Sequence, residues 1–356
     1  MLNIIQVGLG HWGRSWTTEV LAQVDTVKVT GYVDSSEEAR AGFCAATGVS
    51  PALCFGSLEE ALRHVRCEAI VAPLRTDAHF PVVREALEAG LHVLVEKPFT
   101  TTLEEAAILN ALARERGLLL MVSQNYRFFG APIAAARHLA AGTIGHVDSV
   151  SLDFRRHGPT FGFKYYEIED PLVADMSIHH FDGMRMLFGE IESVSCRSWN
   201  VPESPFLHHP ATAAMIEFTS GVLLSYRASF MAMGEDTPWG GIWTVNGSLG
   251  EMVWSYRGSA GGDPDWLNLR LARGDLQPQS LELPRYRDRA GSVNAFAEAL
   301  AGRISWEGLP TGDDNIKSLA VVKACLLSAR QNGKAVRPAD LLPQASAVNH
   351  VEEIAV

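Results

Sequence analysis

The chain has 356 residues, 47% of them hydrophobic and 20% charged, enough for two domains with their own cores and too apolar for a disordered chain. Its formal net charge is −11, with no lysine- or arginine-rich block, which argues against nucleic acid or anionic membrane as the main partner. Five scattered cysteines lack CxxC spacing, so neither a metal site nor a disulfide framework is expected, and a reducing cytoplasm fits best.

The N-terminus enters a strand at once, and no run of about 18 apolar residues occurs, so neither a leader nor a membrane span is expected. From Leu2 to about Ser123, strand-like runs alternate with helical ones. "LNIIQVGL", "VKVTGYVD", "AIVAPL", "HVLVEK" and "LLLMVSQ" are short and apolar, and the segments between them carry apolar residues at helical spacing. Strands apolar on both faces and separated by helices predict a doubly wound parallel sheet, a Rossmann domain over residues 1–124.

The first strand runs into Gly8-Leu9-Gly10-His11-Trp12-Gly13, a G-x-G-x-x-G turn that opens a helix. In such a turn the first glycine permits the tight bend, the second lets the backbone approach a pyrophosphate, and the third lets helix and strand pack closely. The second strand ends in Asp34, 21 residues after Gly13, where a carboxylate can accept hydrogen bonds from an adenosine ribose. Asp34 would repel a 2′-phosphate, and Ser35-Ser36-Glu37-Glu38 adds acid, so NAD is favoured, with Arg40 the one residue that keeps NADP open.

The fifth predicted strand ends in Glu96-Lys97-Pro98. Ligands bind at the carboxyl ends of strands in doubly wound sheets, and the proline holds Lys97 extended, a setting that suits proton exchange with a substrate hydroxyl. A solvated lysine at a strand end is the other reading of that triplet taken alone.

Beyond about Asn125 the pattern changes. A helical "APIAAARHLAAG" leads to the strand "HVDSVSLDF", a helix begins within "PLVADMSIHHFDGMRMLFG", and "SVSCRSW", "TAAMIEFT", "VLLSYRASFMA", "GIWTVNG", "GEMVWSY", "LNLRLAR" and "SLELP" follow as alternating strands. These predict a second, α+β domain over 125–342 on an open, largely antiparallel sheet, closed by two helices within 292–332, with 343–356 a peripheral tail. On the first of these helices Asp175, His179 and Asp182 stand at i, i+4 and i+7 and share a face, where a carboxylate and an imidazole one turn apart can pair and share a proton. His180 points away from that stripe and is expected to be structural. His208 and His209, adjacent in an extended run, make a poor joint metal site, and none is expected. Trp199, Trp239, Trp243 and Trp254 fall in the strand-rich half; large apolar residues on an open sheet face suggest a homodimer or homotetramer built through that sheet.

In these features the chain resembles the glucose-fructose oxidoreductase / inositol dehydrogenase / MocA family: the glycine turn, Asp34, "APLRTDAHFPVVREALEAGLHVLVEKP", "NYRF" at Asn125–Phe128, Asp175-x-x-x-His179-x-x-Asp182 and the closing "NIKSLAVVKACLLSARQNGKAV". The resemblance implies an NAD-linked oxidoreductase acting on a secondary hydroxyl of a sugar, cyclitol or sugar derivative, with Lys97 near the reacting hydroxyl, His179 as general acid/base and Asp175 as its positioning or proton-sharing partner. It places Glu96 near the nicotinamide ribose, and Ala72, Pro73, Leu74, His79 and Asn125 with the glycine turn around the cofactor. Arg127, Arg156 and Tyr165 are candidates for substrate, the last two within "RRHGPTFGFKYYE", whose basic and aromatic side chains suit a sugar ring or an anionic group. Arg75, where many family members have Thr-Pro, is a further candidate for a phosphate or carboxylate, or a plain surface arginine. Two other readings share the fold: an enzyme that retains NAD and oxidises transiently to drive elimination or glycoside cleavage, and a non-catalytic cofactor-dependent regulatory protein.

Overall fold

The computed structural model describes residues 1–158, 166–258 and 265–344. The chain divides into two compact units: Met1–Asn125 with Arg285–Ile316, and Tyr126–Pro284 with Lys317–Leu342. The helix Asp288–Leu300 thus groups with the first unit, contrary to the expectation that both closing helices belong to the second. It packs on β2 (Val27–Val33), which tertiary contact alone could reveal.

In the first unit, β1 (Leu2–Val7), β2, β3 (Cys54–Phe55), β4 (Ala69–Ala72), β5 (His92–Val95) and β6 (Leu120–Val122) form a six-stranded sheet in the order β3-β2-β1-β4-β5-β6. Every pairing is parallel. This order puts the topological switch between β1 and β4, beside the glycine turn. The two-residue β3 was not legible as a strand. The helices Glu37–Thr47, Leu58–His64 and Leu103–Glu115 begin at Ser36, Ser57 and Thr102, whose side chains accept the N–H of the third residue on; Glu105 completes a reciprocal cap on the last. The strands bury Ile5, Ile70, Val93 and Val95 against Val83, Leu87, Phe99 and Leu109 of the flanking segments.

The second unit carries an eight-stranded sheet: β7 (Val147–Arg155), β8 (Ile191–Trp199), β9 (Ala211–Phe218), β10 (Leu223–Ser229), β11 (Ile242–Gly247), β12 (Gly250–Ser255), β13 (Trp266–Leu271) and β14 (Gln277–Pro278). Their order is β14-β13-β12-β11-β7-β10-β9-β8, antiparallel except for β7 with β10. "SLELP" forms no strand; the edge is the short β14, which ends in a proline that cannot extend the ladder. Trp243 and Trp254 face each other in register and stack at 5.3 Å, fully buried. They are core residues and not part of an open face, which removes two of the four tryptophans from the argument for self-association.

Candidate functional site

The first unit gathers candidate residues at the carboxyl ends of four adjacent strands, β2, β1, β4 and β5. Gly8 turns at φ +105°, and a Cβ there would lie 2.7 Å from Leu74 Cδ2 and 3.1 Å from the Pro73 carbonyl, so the 72–74 segment lies on the turn. A Cβ on Gly13 would lie 2.1 Å from the Gly8 oxygen, so the third glycine allows α1 (His11–Ser15) to seat against the strand. Around Gly10 the same position meets nothing within 4 Å, and the turn is open there to a ligand. The buried amide of Gln6 donates to the carbonyls of Gly8 (3.1 Å) and Gly13 (2.9 Å) while accepting from Thr17 Oγ1 (2.7 Å). A polar residue inside an apolar strand was the signal for this brace, and it was missed. The helix after the turn widens into a π-turn over Trp16–Val20.

Asp34 is fixed by two backbone donors, Leu9 N–H to Oδ2 and Ser36 N–H to Oδ1, both at 2.9 Å. Arg40, which kept NADP open, spends one guanidinium nitrogen on the carbonyls of Asp34 (2.6 Å) and Ser35 (3.2 Å). Open space over the second glycine, a helix start without a side-chain cap and a carboxylate beside the turn fit an NAD molecule. His11 and Trp12 are exposed at the start of α1, and Ser35 is exposed beside Asp34.

Glu96 is buried, and its carboxylate ties the turn to the Lys97 strand end. Oε1 accepts the indole N–H of both Trp12 and Trp16 at 2.9 Å, and Oε2 accepts the Lys97 N–H at 2.9 Å. The Lys97–Pro98 peptide is cis. His79 is buried with Nδ1 at the Pro98 (3.0 Å) and Phe99 (3.1 Å) carbonyls and Nε2 at the Leu74 carbonyl (3.1 Å). Burial pushes its pKa down against those carbonyls. His79 therefore braces two loops of the site. Asn125 is buried with its amide donating to Asp288, and Arg289 lies 4.4 Å over the Trp12 ring; neither partner was foreseen, because both come from the distant helix Asp288–Leu300. Arg75 pairs with Asp77 at 2.6 Å on the surface.

In the second unit the expected regular helix is a π-turn, Leu172–Met176, followed by an α-helix, Ser177–Phe188. Asp175 lies in the wide turn and His179 in the helix proper, so the i, i+4 spacing is not regular. The His179 ring stacks on Tyr126 with centroids 4.0 Å apart and planes 11° apart, and Arg257 Nη1 donates to the Tyr126 hydroxyl at 2.6 Å. Tyr126, Arg257 and Trp239 were not foreseen; Tyr126 sat inside the quoted "NYRF". Arg127 and Asp182 form a buried two-pronged ion pair (2.6 and 2.7 Å), and Asp182 also accepts from Ser318 Oγ (2.9 Å). This buried pair joins the Asn125–Phe128 turn to the helix Ser177–Phe188. Arg156 lies 4.5 Å over Trp239. Tyr165 lies outside the described residues.

His180 is structural as expected: Nδ1 meets the Tyr226 hydroxyl at 2.9 Å and Nε2 the Trp239 carbonyl at 3.1 Å. Among the described residues no group of three or more His, Cys, Asp or Glu is placed to hold a metal ion. His209 pairs with Asp170 at 2.8 Å, while His208 is exposed.

Residues 2–124 match the family model described as "Oxidoreductase family, NAD-binding Rossmann fold", and residues 133–253 match "GFO/IDH/MocA C-terminal domain". Among curated relatives, "Uncharacterized oxidoreductase YhhX" of Escherichia coli is 34% identical over 138 residues, 39% of this chain and 40% of that protein. Several other relatives are likewise matched over less than two thirds of their length. A longer match is dTDP-3,4-didehydro-2,6-dideoxy-alpha-D-glucose 3-reductase of Streptomyces violaceoruber, 28% identical over 81% of this chain and 82% of that one. The fold is similar to that of an oxidoreductase from Agrobacterium radiobacter solved with NAD+, L-tartaric acid and magnesium (TM-score 0.82, 19% identity, 96% of this chain and 99% of that one). It is also similar to that of the WlbA dehydrogenase from Bordetella pertussis solved with NADH and UDP-GlcNAcA (TM-score 0.73, 19% identity, 94% and 98%).

Proposed function

The chain belongs to the Gfo/Idh/MocA family of oxidoreductases with an NAD-binding Rossmann domain, and from that premise we propose that it is an NAD-dependent dehydrogenase or reductase of a secondary hydroxyl or carbonyl on a sugar, cyclitol or sugar derivative. The observation that carries this is the convergence, at four adjacent strand ends of the first unit, of an open glycine turn, a fixed Asp34 carboxylate and the Lys97 strand end tied to that turn through Glu96.

Bound NAD supplies the hydride acceptor or donor. Lys97 exchanges the proton of the reacting hydroxyl from a backbone held on both sides: its own N–H donates to Glu96, and the carbonyl of the following Pro98 meets His79. His79, by spanning the 74 and 98–99 loops, keeps that strand end in place. In the second unit, His179, oriented by its stack on Tyr126, serves as general acid/base, and Asp175 orients it or shares its proton. Sugar chemistry is supported by relatives such as the dTDP-sugar 3-reductase and a D-apiose dehydrogenase of Paraburkholderia graminis, 28% identical over 78% of this chain and 75% of that one.

A screen of sugars and cyclitols with NAD and NADP, read by absorbance of the reduced cofactor, tests the reading. NAD is expected to be preferred because the fixed Asp34 carboxylate stands where a 2′-phosphate would come; equal use of NADP counts against it. Lys97→Ala is expected to lower kcat by at least about a hundredfold while NADH still binds; unchanged turnover overturns the assignment.

A cytoplasmic setting accords with five cysteines that are all free thiols; their recovery as disulfides from cells would contradict it. No helix among the described residues is long and apolar enough to cross a membrane. Self-association as a homodimer or homotetramer is read from the sheet face bearing Met215 and Leu223, 51% and 47% exposed; sedimentation as a monomer at micromolar concentration would refute it.

A further inference from the structure

Cys44 and Cys54, both half-buried free thiols of the first unit, bring their sulfurs to 3.4 Å of each other. Cys44 lies in the last turn of the helix Glu37–Thr47, and Cys54 opens β3. Both pack against the small core of Leu9, Tyr32 and Phe43. Leu9 belongs to the glycine turn, so this core backs the cofactor end of the unit.

Each cysteine sits on one of two arms that hold the main chain of Asp34. One turn before Cys44, Arg40 Nη1 donates to the carbonyls of Asp34 (2.6 Å) and Ser35 (3.2 Å). Directly after Cys54, the Phe55 carbonyl accepts the Asp34 N–H at 3.2 Å. The helix also rests on α1, since a Cβ on Gly42 would lie 2.7 Å from Arg14 Nη2. Drawing the two arms together therefore displaces Asp34, and with it Leu9, whose N–H the Asp34 carboxylate accepts at 2.9 Å.

A disulfide holds its sulfurs at about 2.05 Å, so the pair stands roughly 1.4 Å short of bonding. Burial first, and the bond to Cys44 second, hold the Cys54 thiol above its ordinary range. Cys54 thus keeps its proton toward Cys44, and Cys44 is the attacking sulfur. Cys196 and Cys325 are buried in the second unit, where a solute does not reach them.

We propose that Cys44 and Cys54 form an oxidation site that hydrogen peroxide closes to a disulfide, and that this closure weakens NAD binding. The Cys44 sulfur attacks one peroxide oxygen and the O–O bond breaks, leaving a sulfenic acid and one water. The Cys54 sulfur then attacks the sulfenic sulfur and releases the second water, so two thiols lose two electrons as peroxide is reduced. A transient bond of this kind is compatible with a compartment that keeps other thiols reduced. The weakening of NAD rests on the cofactor site described above; the disulfide does not.

Reduced full-length protein treated with hydrogen peroxide, then mapped by mass spectrometry and titrated with NADH, tests it. The expected product is a Cys44–Cys54 linked peptide, lighter by the two hydrogens lost. NADH affinity is expected to fall at least about threefold on oxidation, because a site moved by about an ångström is no longer preorganised, and to return with dithiothreitol. That return in the parent itself needs no variant and guards against a folding artefact. Cys44→Ser and Cys54→Ser are each expected to abolish the linkage and the fall, with the reduced variants binding NADH as the parent does. Absence of the linkage, or a linkage made chiefly to Cys67, overturns the site. A linked protein that binds NADH unchanged overturns the coupling to the cofactor. If the linkage forms but the reduced parent fails to bind NADH, the disulfide stands and the cofactor reading falls.

Discussion

Gly10 and Gly13 differ by what a single methyl group would meet. Gly10 has φ −65°, which any residue adopts, and its Cβ position is open, so nothing in the folded chain requires a glycine there except room for a ligand. Gly13 is required by the fold itself, since its Cβ would overlap the Gly8 carbonyl. Gly10→Ala is accordingly expected to leave the thermal midpoint unchanged and weaken NAD binding by about tenfold or more. Gly13→Ala is expected to cost about 1–3 kcal/mol or more of stability through forced displacement of α1. Calorimetry and NADH titration of the two variants check this, and a Gly10→Ala protein that binds NADH normally would contradict the placement of the pyrophosphate. Glu96, which the family resemblance sets near the nicotinamide ribose, holds two indoles and a peptide N–H, so its carboxylate links Trp12, Trp16 and Lys97.

The segment from Leu172 to Phe188 was legible as a helix but not as a π-turn joined to an α-helix, because an inserted residue per turn leaves the apolar pattern almost unchanged. Its two histidines part by their packing. His179 lies on Tyr126, while His180 is driven between Tyr226 and the Trp239 carbonyl and pins the helix to the sheet. A carbonyl can only accept, so Nε2 carries a proton toward Trp239, while Nδ1 meets the Tyr226 hydroxyl, which Ser177 Oγ also contacts at 2.8 Å. Full burial holds its pKa down at about 4. An unfolded histidine titrates near 6.5, so between about pH 6.5 and 4 the unfolded chain binds a proton that the native one does not, and stability falls as pH falls through that window. The loss is expected to be roughly 2 kcal/mol between pH 7 and pH 5, with His79, whose pKa burial also lowers, adding in the same direction. Urea midpoints measured across that range check it; a slope as steep in His180→Gln as in the parent would assign the effect elsewhere.

For the whole molecule, the remaining question is what covers the open face of the second sheet. β9 and β10 alternate buried and exposed residues, and the exposed set includes Met215, Leu223, Ser225 and Arg227, with Arg227 bonded to Asp153 of β7 at 2.6 Å. The face is mixed and firmly registered, as an isologous contact between copies would need. Replacing Met215 and Leu223 together with aspartate is expected to shift sedimentation from an oligomer to a monomer without loss of NADH binding, and a parent that is itself monomeric would remove the premise.

Legible in the chain alone were the two-domain plan, the parallel character of the first sheet, the largely antiparallel character of the second, and the glycine turn, Asp34, Lys97 and His179 as candidates for a site. These are carried by local periodicity and by turn chemistry that depends on a few consecutive residues. Tertiary structure alone decided that Asp288–Leu300 belongs with the first unit, that Arg127 pairs with Asp182, that Trp243 and Trp254 are core, and that Arg156 and Arg257 meet on Trp239. Each of those depends on residues far apart in the chain, and a side chain's charge or aromatic ring shows what it can bind but not which distant partner the packing will bring to it.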